Sequence, residues 1–387
     1  MRRLPITVIL LGLTSFWTDA GSEMIFPLLP VFLTTTLGAS PTFLGTVEGA
    51  ADLVASMLKL VAGRLSDRLG MRKPLVVGGY GIAGVMRPLV AFATAPWHVL
   101  VVRLTDRVGK GVRGAPRDAL IADAAPEGMA SRAFGFHTAM DHAGAVVGPL
   151  IGAALLASGM PMRTIFLWAA LPGALALVTT LFVPETAPPV KVVPAAPTLG
   201  PIAALPTPFW RLLLIFALFG LGNSSDAFLL LRAKELGVPA VSIPILWSAF
   251  HVSKVGWSAI GGALGDSLPK RHTIVAGWAV YALVYLLFAF AQAPWQIWCL
   301  FLLYGAYYGL TEPVQKALVR EVVPVEFRGS AFGWYNFVIG VMALPASLLV
   351  GAIWQAAGPF VALATGAGLA AAASASLLVW KEGSPAG

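Results

Sequence analysis

Charged side chains recur inside stretches of sequence that are otherwise apolar and long enough to cross a membrane. The densest set lies in the segment 98–121, where the charges are spaced three and four residues apart and therefore share one face of a helix. This set consists of Arg103, Asp106, Arg107, Lys110, Arg113 and Arg117. On insertion scales a charge costs about 2.5–3.5 kcal/mol at the centre of a membrane helix, so such residues by default mark a cavity or pathway. The stripe predicts an interior suited to a polar or charged solute.

Carboxylates in the neighbouring segments predict proton coupling. Asp19 and Glu23 lie one turn apart in the first segment, while Asp52 and Asp141 lie in the second and fifth. A proton-coupled carrier needs a buried carboxylate that takes up a proton on one side of the membrane and releases it on the other. Asp19 is the first candidate because it lies near the middle of its segment, followed by Glu23, Asp141 and Asp52.

His137 precedes Asp141 by one helical turn. Since histidine titrates near neutrality, His137 could relay protons, although a hydrogen-bonded structural histidine explains it equally well. The His137/Asp141 spacing also suits metal ligands, and Asp19 and Glu23 could add oxygen ligands. However, His142 points off the shared face, so only two of these three residues could converge. We therefore predict neither a metal site nor a cofactor.

The second half contributes fewer charges. The predicted substrate contacts from both halves are Arg103, Asp106, Arg107, Lys110, Asp226, Lys254 and Glu312. Trp17 lies half a turn from Asp19 and could stack on the substrate. The structural alternative for each charge is pairing inside the bundle, such as Asp106 with Arg87 or Glu48 with Lys59.

Membrane helices must position these residues. The 387-residue chain is 58% hydrophobic and only 11% charged, against about a quarter charged in soluble domains. Twelve apolar segments are long enough to span a bilayer. They fall at about 6–35, 43–64, 74–94, 98–121, 133–157, 163–183, 209–231, 242–265, 273–293, 295–320, 331–355 and 358–380. Prolines and alanines at 185–208 predict a linker between bundles at 1–184 and 209–387. Cys299 is the only cysteine, which rules out disulfides within the chain.

The distribution of basic residues in the loops predicts the topology. Most of the loop Lys and Arg residues lie on the N-terminal side of the membrane. These are Arg2, Arg3, Arg68, Arg72, Lys73, Arg132, Lys191, Lys270, Arg271, Arg328 and Lys381. By the positive-inside rule both termini are cytoplasmic, and we predict a multi-pass protein of the plasma (inner) membrane. The net charge of +8 is scattered over short loops, which favours membrane lipid over nucleic acid as a partner.

The two halves repeat each other in parallel. Arg132-Ala-Phe-Gly135 matches Ser330-Ala-Phe-Gly333, an offset of 198 residues (333 − 135). Gly63 and Gly262 begin similar Gly-x-x-x-Asp sequences with an offset of 199 (262 − 63). A parallel duplication with a site between the halves is a known transporter plan.

Two motifs carry a family resemblance. Gly63-x-x-x-Asp67-Arg68-x-Gly70-x-Arg72-Lys73 resembles the loop motif of the major facilitator superfamily. Gly144-x-x-x-Gly148-Pro149-x-x-Gly152 is similar to the motif that this family carries mainly in its antiporters. The resemblance implies an all-α fold of twelve transmembrane helices in two pseudo-symmetric six-helix bundles. It also implies that helices 1, 4, 7 and 10 line a central cavity.

Both motifs predict gating. Gly63 allows another helix to approach closely, and Asp67 could face the positive N-terminal end of helix 11. Together with Gly70, the cations Arg68, Arg72 and Lys73 complete a breakable cytoplasmic latch; the alternative is a plain positive-inside loop. In helix 5 the glycines share one face, and Pro149 bends the helix. Ordinary small-residue packing explains Gly144, Gly148 and Gly152 as well as a role in exchange does.

The sequence thus predicts a secondary active transporter that works by alternating access and exports a small polar or charged solute in exchange for protons. One alternative is a proton-coupled importer of a polar metabolite or metal chelate, and a remote one is a membrane receptor or scaffold that transports nothing. The sequence lacks the hydrolase, metalloprotease and phosphate-loop motifs, so we predict no enzyme activity. The expected partners are a small-molecule substrate, protons and membrane lipid, and the expected state is a monomer.

Overall fold

A computed structural model describes residues 4–69, 72–125, 130–184, 205–323 and 328–380 of the chain. These residues form helices and turns, with no strand among them. The first half contains α1 Ile6–Ile25, α2 Pro41–Leu69, α3 Lys73–Leu89, α4 Pro96–Ala124, α5 Ala130–Ala157 and α6 Met162–Leu181. The second half contains α7 Thr207–Glu235, α8 Ser242–Ser267, α9 Lys270–Phe290, α10 Pro294–Val322, α11 at 328–357 and α12 at 359–379.

Several helices are interrupted at recognisable residues. After α1, the prolines Pro27 and Pro30 remove backbone donors, and the chain continues through short helical turns to Thr36. Helix α7 consists of Thr207–Gly222 and Ala227–Glu235, separated by a non-helical stretch. Asp226 ends that stretch and precedes the second part of α7, so its side chain is held at a break rather than within a regular turn.

Left-handed glycines separate helices at equivalent places in the two halves. Gly38 lies between α1 and α2, and Gly237 lies between α7 and α8, with φ angles of 68° and 85°. Gly159 and Gly358 occupy the α5–α6 and α11–α12 junctions, with φ angles of 84° and 85°. Only glycine adopts such angles without steric cost. Each pair is 199 residues apart (237 − 38; 358 − 159), which fits the sequence repeat.

The N-terminal caps of α4 and α10 show the same duplication. His98 Nδ1 accepts a hydrogen bond from the backbone N–H of Ala95 at 3.2 Å. Gln296 Oε1 accepts the equivalent bond from Ala293 at 3.0 Å. Both helices begin with a proline at the first position, where the missing N–H costs nothing. The repeat therefore extends to the way in which individual helices start.

The chain forms two compact units. The first comprises Met1–Ala39, Ala50–Val193 and Pro239–Ser248, and the second comprises Ser40–Gly49, Pro194–Val238 and Ala249–Gly387. The interior of the first unit carries the charges of α1, α3 and α4 beside an aliphatic cluster around Val8, Leu11 and Val76. The interior of the second unit is aromatic, with Trp278, Tyr281, Tyr285, Tyr304 and Phe250 fully buried.

Helix lengths and surfaces fit a bilayer. Six stretches of the described residues are both long and apolar enough to span a membrane by length and composition alone. The charged helices α2 and α4 are not among these six, because their acidic and basic side chains lower the hydropathy. Large apolar side chains such as Phe92, Phe182 and Leu214 remain exposed, as lipid-facing side chains do.

The structure corrects one boundary of the predicted linker 185–208. Helix α7 already begins at Thr207, with Pro208 in its first turn. Proline is tolerated there because the first N–H groups of a helix have no intrahelical partner. Residues 185–204 lie outside the described residues.

Candidate functional site

The charged stripe of α4 is anchored by a buried ion pair with α3. Arg87 Nε donates to Asp106 Oδ1 at 2.9 Å, and Arg87 Nη1 donates to the carbonyl of Thr18 on α1 at 2.6 Å. Both charged side chains are almost completely buried. The structural pairing that the sequence left as an alternative for Asp106 is therefore present. Asp106 is thus a predicted substrate contact that the structure holds in a buried ion pair within the protein.

The other α4 charges have varied surroundings. Arg103 is buried with its guanidinium 5.7 Å from the centre of the Phe26 ring, and Arg107 Nε lies 3.9 Å from Asp52 Oδ1. Lys110 is exposed and interacts electrostatically with Asp19. The cations of the α4 stripe thus meet an aromatic ring at Arg103 and carboxylates of α2 and α1 at Arg107 and Lys110.

Asp19 lies in a group of charges drawn from four helices. The charged residues that act on it are Asp141 of α5, Lys110 of α4, Glu23 of α1 and Arg87 of α3. Its side chain is half-buried. The carboxylates that the sequence singled out on α1 and α5 therefore share one electrostatic environment with a lysine.

Asp141 is held by two side chains. Ser15 Oγ of α1 donates a hydrogen bond to Asp141 Oδ1, and His137 Nδ1 lies 3.6 Å from Asp141 Oδ2. His137 is buried, and within the described part of the chain its Nε2 has no hydrogen-bond partner. The His137–Asp141 contact links a titratable ring to the carboxylate group around Asp19.

Glu23 interacts with the first turns of α8, which belong to the same unit. Trp247 Nε1 donates to Glu23 Oε2 at 2.8 Å, and the Trp247 ring packs on Phe26 with the centroids 5.0 Å apart. Trp17 packs edge-on against Phe16 instead, with a centroid distance of 4.9 Å. An aromatic contact to the carboxylate group thus comes from Trp247, which the sequence did not single out because it is 224 residues from Glu23.

The glycines of α5 bring its backbone against α1. A Cβ atom added at Gly144 would lie 3.0 Å from Ala20 N and 3.1 Å from Asp19 Cβ, and one at Gly152 would lie 3.1 Å from Met24 O. At Gly148 it would lie only 2.9 Å from Ala20 Cα. The glycine face therefore fixes the position of the α1 turn that carries Asp19.

We expect Gly148→Ala to destabilise the protein by about 1–3 kcal/mol, because the added methyl group cannot fit without moving the α1 backbone. Thermal unfolding of purified protein in detergent measures the effect. Gly135→Ala is the matched control on the same helix, since nothing lies within 4 Å of a Cβ atom there. Equal unfolding temperatures for the two variants would contradict the packing described for α5.

In the second unit Asp226 is clamped by two tyrosines of α10. Tyr304 Oη donates to Asp226 Oδ1 at 2.8 Å, and Tyr308 Oη donates to Asp226 Oδ2 at 2.9 Å. Lys254 Nζ of α8 lies 3.8 Å from the centre of the Tyr308 ring. The predicted substrate residues Asp226 and Lys254 are thus connected through one aromatic side chain.

A pocket with a free volume of about 220 Å³ also lies within the second unit. Glu312 lines it, together with Lys316, whose Nζ lies 3.3 Å from Glu312 Oε1. The sequence predicted Glu312 but missed the aromatic wall, which includes Trp278 of α9 and Tyr335 of α11. The density of tyrosines at 281–308 was the available signal, but it did not indicate which rings meet.

The predicted latch is only partly described. Gly70, the surroundings of Gly63 and the side chains of Asp67 and Arg68 lie outside what the structure describes. Arg72 forms an ion pair with Asp123 of α4, and Lys73 Nζ donates to the carbonyl of Leu181 at 3.0 Å.

The Arg72–Asp123 pair has a counterpart in the second unit. Lys270 Nζ lies 2.6 Å from Glu321 Oε1, and both partners are 198 residues further along (270 − 72; 321 − 123). The duplication thus includes the ion pair that joins the start of one helix to the end of the next.

No group of three or more His, Cys, Asp or Glu side chains suited to a metal ion occurs in the ranges that the structure describes. His137 and Asp141 meet each other there without a third such ligand. The site is therefore a set of carboxylates, cations and aromatic rings.

Comparisons with known proteins agree with this architecture. The family model described as Major Facilitator Superfamily matches residues 11–347. An uncharacterised MFS-type transporter of Methanocaldococcus jannaschii is 33% identical over 364 residues, covering 92% of this chain and 90% of the relative. The multi-drug resistance efflux pump PmrA of Streptococcus pneumoniae is 27% identical, covering 86% and 85%. The crystal structure of the nucleoside transporter NupG superposes with a TM-score of 0.80 at 14% identity, covering 97% and 98%, which shows a shared fold.

Proposed function

The chain belongs to the Major Facilitator Superfamily of multi-pass membrane transporters, and from this premise we propose that it exports a small polar or charged solute in exchange for protons. The observation that carries the proposal is the group of carboxylates around Asp19 in the first unit, where Ser15, one turn before Asp19, donates to Asp141 and a Cβ atom at Gly144 of α5 would lie 3.1 Å from Asp19 Cβ. Members of the family bind small-molecule substrates and work as monomers. We propose the proton as the coupling ion, export as the direction of transport, and the residues responsible for each.

Proton coupling is supported by the composition of that group. Two neighbouring carboxylates repel each other, so uptake of one proton relieves the repulsion. Lys110 acts in the opposite sense because it favours the charged form of Asp19. Solute binding that shifts the balance between the carboxylates and Lys110 favours release of the proton, which couples the two events.

Exchange, as opposed to uptake, is supported by the position of the α5 glycines. They bring α5 against the α1 turn that carries Asp19, so a shift of either helix moves the carboxylate group. The S. pneumoniae relative is named as an efflux pump, which favours export. Alternating access then exposes the carboxylate group to each side of the membrane in turn.

We also propose the orientation of the chain in the membrane. The loop cations that the structure describes at the starts of α3 and α9, Lys73 and Lys270, lie on the side that carries most of the basic loop residues. By the positive-inside rule this side and both termini are cytoplasmic, in a plasma or inner membrane whose anionic lipids would contact the cations.

The sign of a pH change tests the proposal. We expect that adding the solute outside proteoliposomes raises the pH inside, because solute entry down its gradient drives protons out. Pyranine trapped in a weakly buffered lumen reports the change, and potassium with valinomycin clamps the membrane potential. The panel of added solutes comprises tetracycline, L-tyrosine, L-glutamate, succinate and glucose. The sign does not depend on the orientation of the protein in the vesicle.

One control and two contrary outcomes make the result decisive. Protein-free liposomes reveal solutes that cross the bilayer unaided and change the internal pH by themselves. A fall in internal pH would establish proton-coupled import and would overturn the export proposal. Solute entry with no pH change would remove the proton from the mechanism.

A further inference from the structure

The pocket of the second unit has walls that are aromatic and fixed in position. Phe219 and Trp278 stack with centroids 4.4 Å apart and an angle of 5° between their planes. Tyr307 Oη accepts a hydrogen bond from Asn223 Nδ2 at 3.1 Å, and Tyr335 Oη donates to Gln315 Oε1 at 2.8 Å. All of these side chains line the pocket. Rigid rings of this kind favour a flat, ring-bearing ligand, because stacking area is gained without ordering flexible side chains.

A buried donor in the wall has no acceptor. Trp278 is fully buried, and within the described ranges its Nε1–H has no hydrogen-bond partner. A buried donor without a partner destabilises the protein, and a ligand that brings an acceptor removes that penalty. The ring that enters the pocket should therefore carry an oxygen or nitrogen acceptor on its edge, which Trp278 Nε1 reaches when the indole turns from its enclosed position toward the cavity.

The polar end of the pocket carries one charge of each sign. Glu312 and Lys316 lie one turn apart on α10, with Nζ and Oε1 separated by 3.3 Å, and their side chains are 62% and 51% exposed. The aromatic floor is buried by comparison, since Tyr307 and Gln315 are 6% and 7% exposed. A ligand with a single charge would be attracted by one of the two residues and repelled by the other. A zwitterion satisfies both.

The volume limits the size of the ligand. Pockets for drug-sized molecules measure about 300–1,000 Å³, and this one has about 220 Å³ of free space. One ring with a short charged side arm suits that space better than a molecule of several fused rings.

We propose that this pocket binds an aromatic zwitterion whose ring carries a hydrogen-bond acceptor, and that such a compound is the exported solute. L-Tyrosine is the simplest example, with its ammonium at Glu312, its carboxylate at Lys316 and its phenol oxygen at Trp278 Nε1. The inference rests on the proposed transport function because it names the class of that solute.

The binding of four related compounds tests whether the pocket requires a zwitterion. Isothermal titration of the purified full chain in detergent compares L-tyrosine with tyramine, which lacks the carboxylate, and with 3-(4-hydroxyphenyl)propionate, which lacks the amine. Each of these should bind at least about tenfold more weakly than L-tyrosine, as should L-leucine, which lacks the ring. Both residues are exposed, so their variants should fold. Glu312→Gln should reduce the difference in affinity between L-tyrosine and 3-(4-hydroxyphenyl)propionate, which lacks the amine. Lys316→Met should reduce the difference in affinity between L-tyrosine and tyramine, which lacks the carboxylate.

The role of Trp278 is tested by pairing ligand and protein changes. L-Tyrosine should bind about tenfold more tightly than L-phenylalanine, and Trp278→Phe should abolish this preference while changing the affinity for L-phenylalanine about twofold or less. Retained phenylalanine binding shows that the variant is folded. Trp334→Phe is the matched control, because Trp334 also has a buried Nε1 without a hydrogen-bond partner but does not line the pocket.

Several outcomes would overturn the inference. These are binding of L-leucine as tight as that of L-tyrosine, no L-tyrosine binding at all, or an unchanged tyrosine preference in Trp278→Phe. If another solute raises the internal pH of proteoliposomes while L-tyrosine does not bind, the export proposal holds and this inference fails. If L-tyrosine binds as described but lowers the internal pH, the pocket assignment holds and the export proposal fails.

Discussion

Replacing Asp19 by asparagine should reduce solute-driven proton exchange to the level of protein-free liposomes. Asparagine has nearly the same shape as aspartate but cannot exchange a proton at physiological pH. Asp141, Lys110 and Glu23 all interact electrostatically with the carboxylate of Asp19. The substitution should therefore remove the proposed proton carrier while the surrounding helices keep their packing. The pyranine response to the solute that is most active on the wild type measures the effect.

Binding and uncoupled exchange should survive in the same variant. Radiolabelled solute should still exchange with unlabelled solute across the vesicle membrane at equal pH, because that reaction needs no net proton movement. Asp118→Asn is the control of identical chemistry, since Asp118 contacts the adjacent Arg117 at 2.8 Å and lies outside the Asp19 group. A full pH response from Asp19→Asn would reject Asp19 as the coupling residue and direct attention to Asp141, which Ser15 and His137 hold in place.

The sequence carried most of the information about the fold. Apolar length located most helices to within a few residues, as the predicted span 295–320 and the observed Pro294–Val322 show, although the predicted span 6–35 runs past the end of α1 at Ile25. Hydropathy works well here because every backbone polar group in a bilayer must be satisfied within a helix or barrel. The limits of the method appear at α7, which was predicted as one span at 209–231 although the helix is interrupted at the polar run Asn223-Ser-Ser-Asp226 within it.

The site was less accessible from the sequence. Helical periodicity places Arg103 and Asp106 on one face, but it cannot say that Asp106 meets Arg87 on another helix. Contacts such as Ser15 with Asp141, 126 residues apart, depend on the rotation of each helix about its axis. The aromatic pocket of the second unit draws rings from α7, α9, α10 and α11, and none of these segments is distinctive alone. Tertiary packing therefore decides which chemically suitable residues cooperate.

Asp106→Ala should be the most destabilising single substitution considered for the first unit, lowering the free energy of unfolding by about 3–5 kcal/mol. The variant leaves the Arg87 guanidinium buried without its carboxylate partner. Of the two acceptors described for Arg87, the carbonyl of Thr18 remains. Thermal unfolding in detergent measures the loss. Asp118→Ala is the comparison, because it removes a carboxylate that is 41% exposed from its pair with Arg117. Since exposed pairs contribute about 0–1 kcal/mol, this variant should lose far less stability than Asp106→Ala.

The double variant Arg87→Met/Asp106→Leu separates the two roles that the sequence left open for Asp106. Replacing a buried ion pair by apolar side chains of similar volume is often neutral or stabilising, so the double variant should recover most of the stability lost in Asp106→Ala. If the pair only holds α3 to α4, the recovered protein should also bind and transport the solute. If Asp106 or Arg87 contacts the solute, stability returns but binding does not. We expect binding to return, because the almost completely buried Asp106 lies between two cations of the protein, with Oδ1 2.9 Å from Arg87 Nε and Oδ2 3.9 Å from Arg107 Nη1.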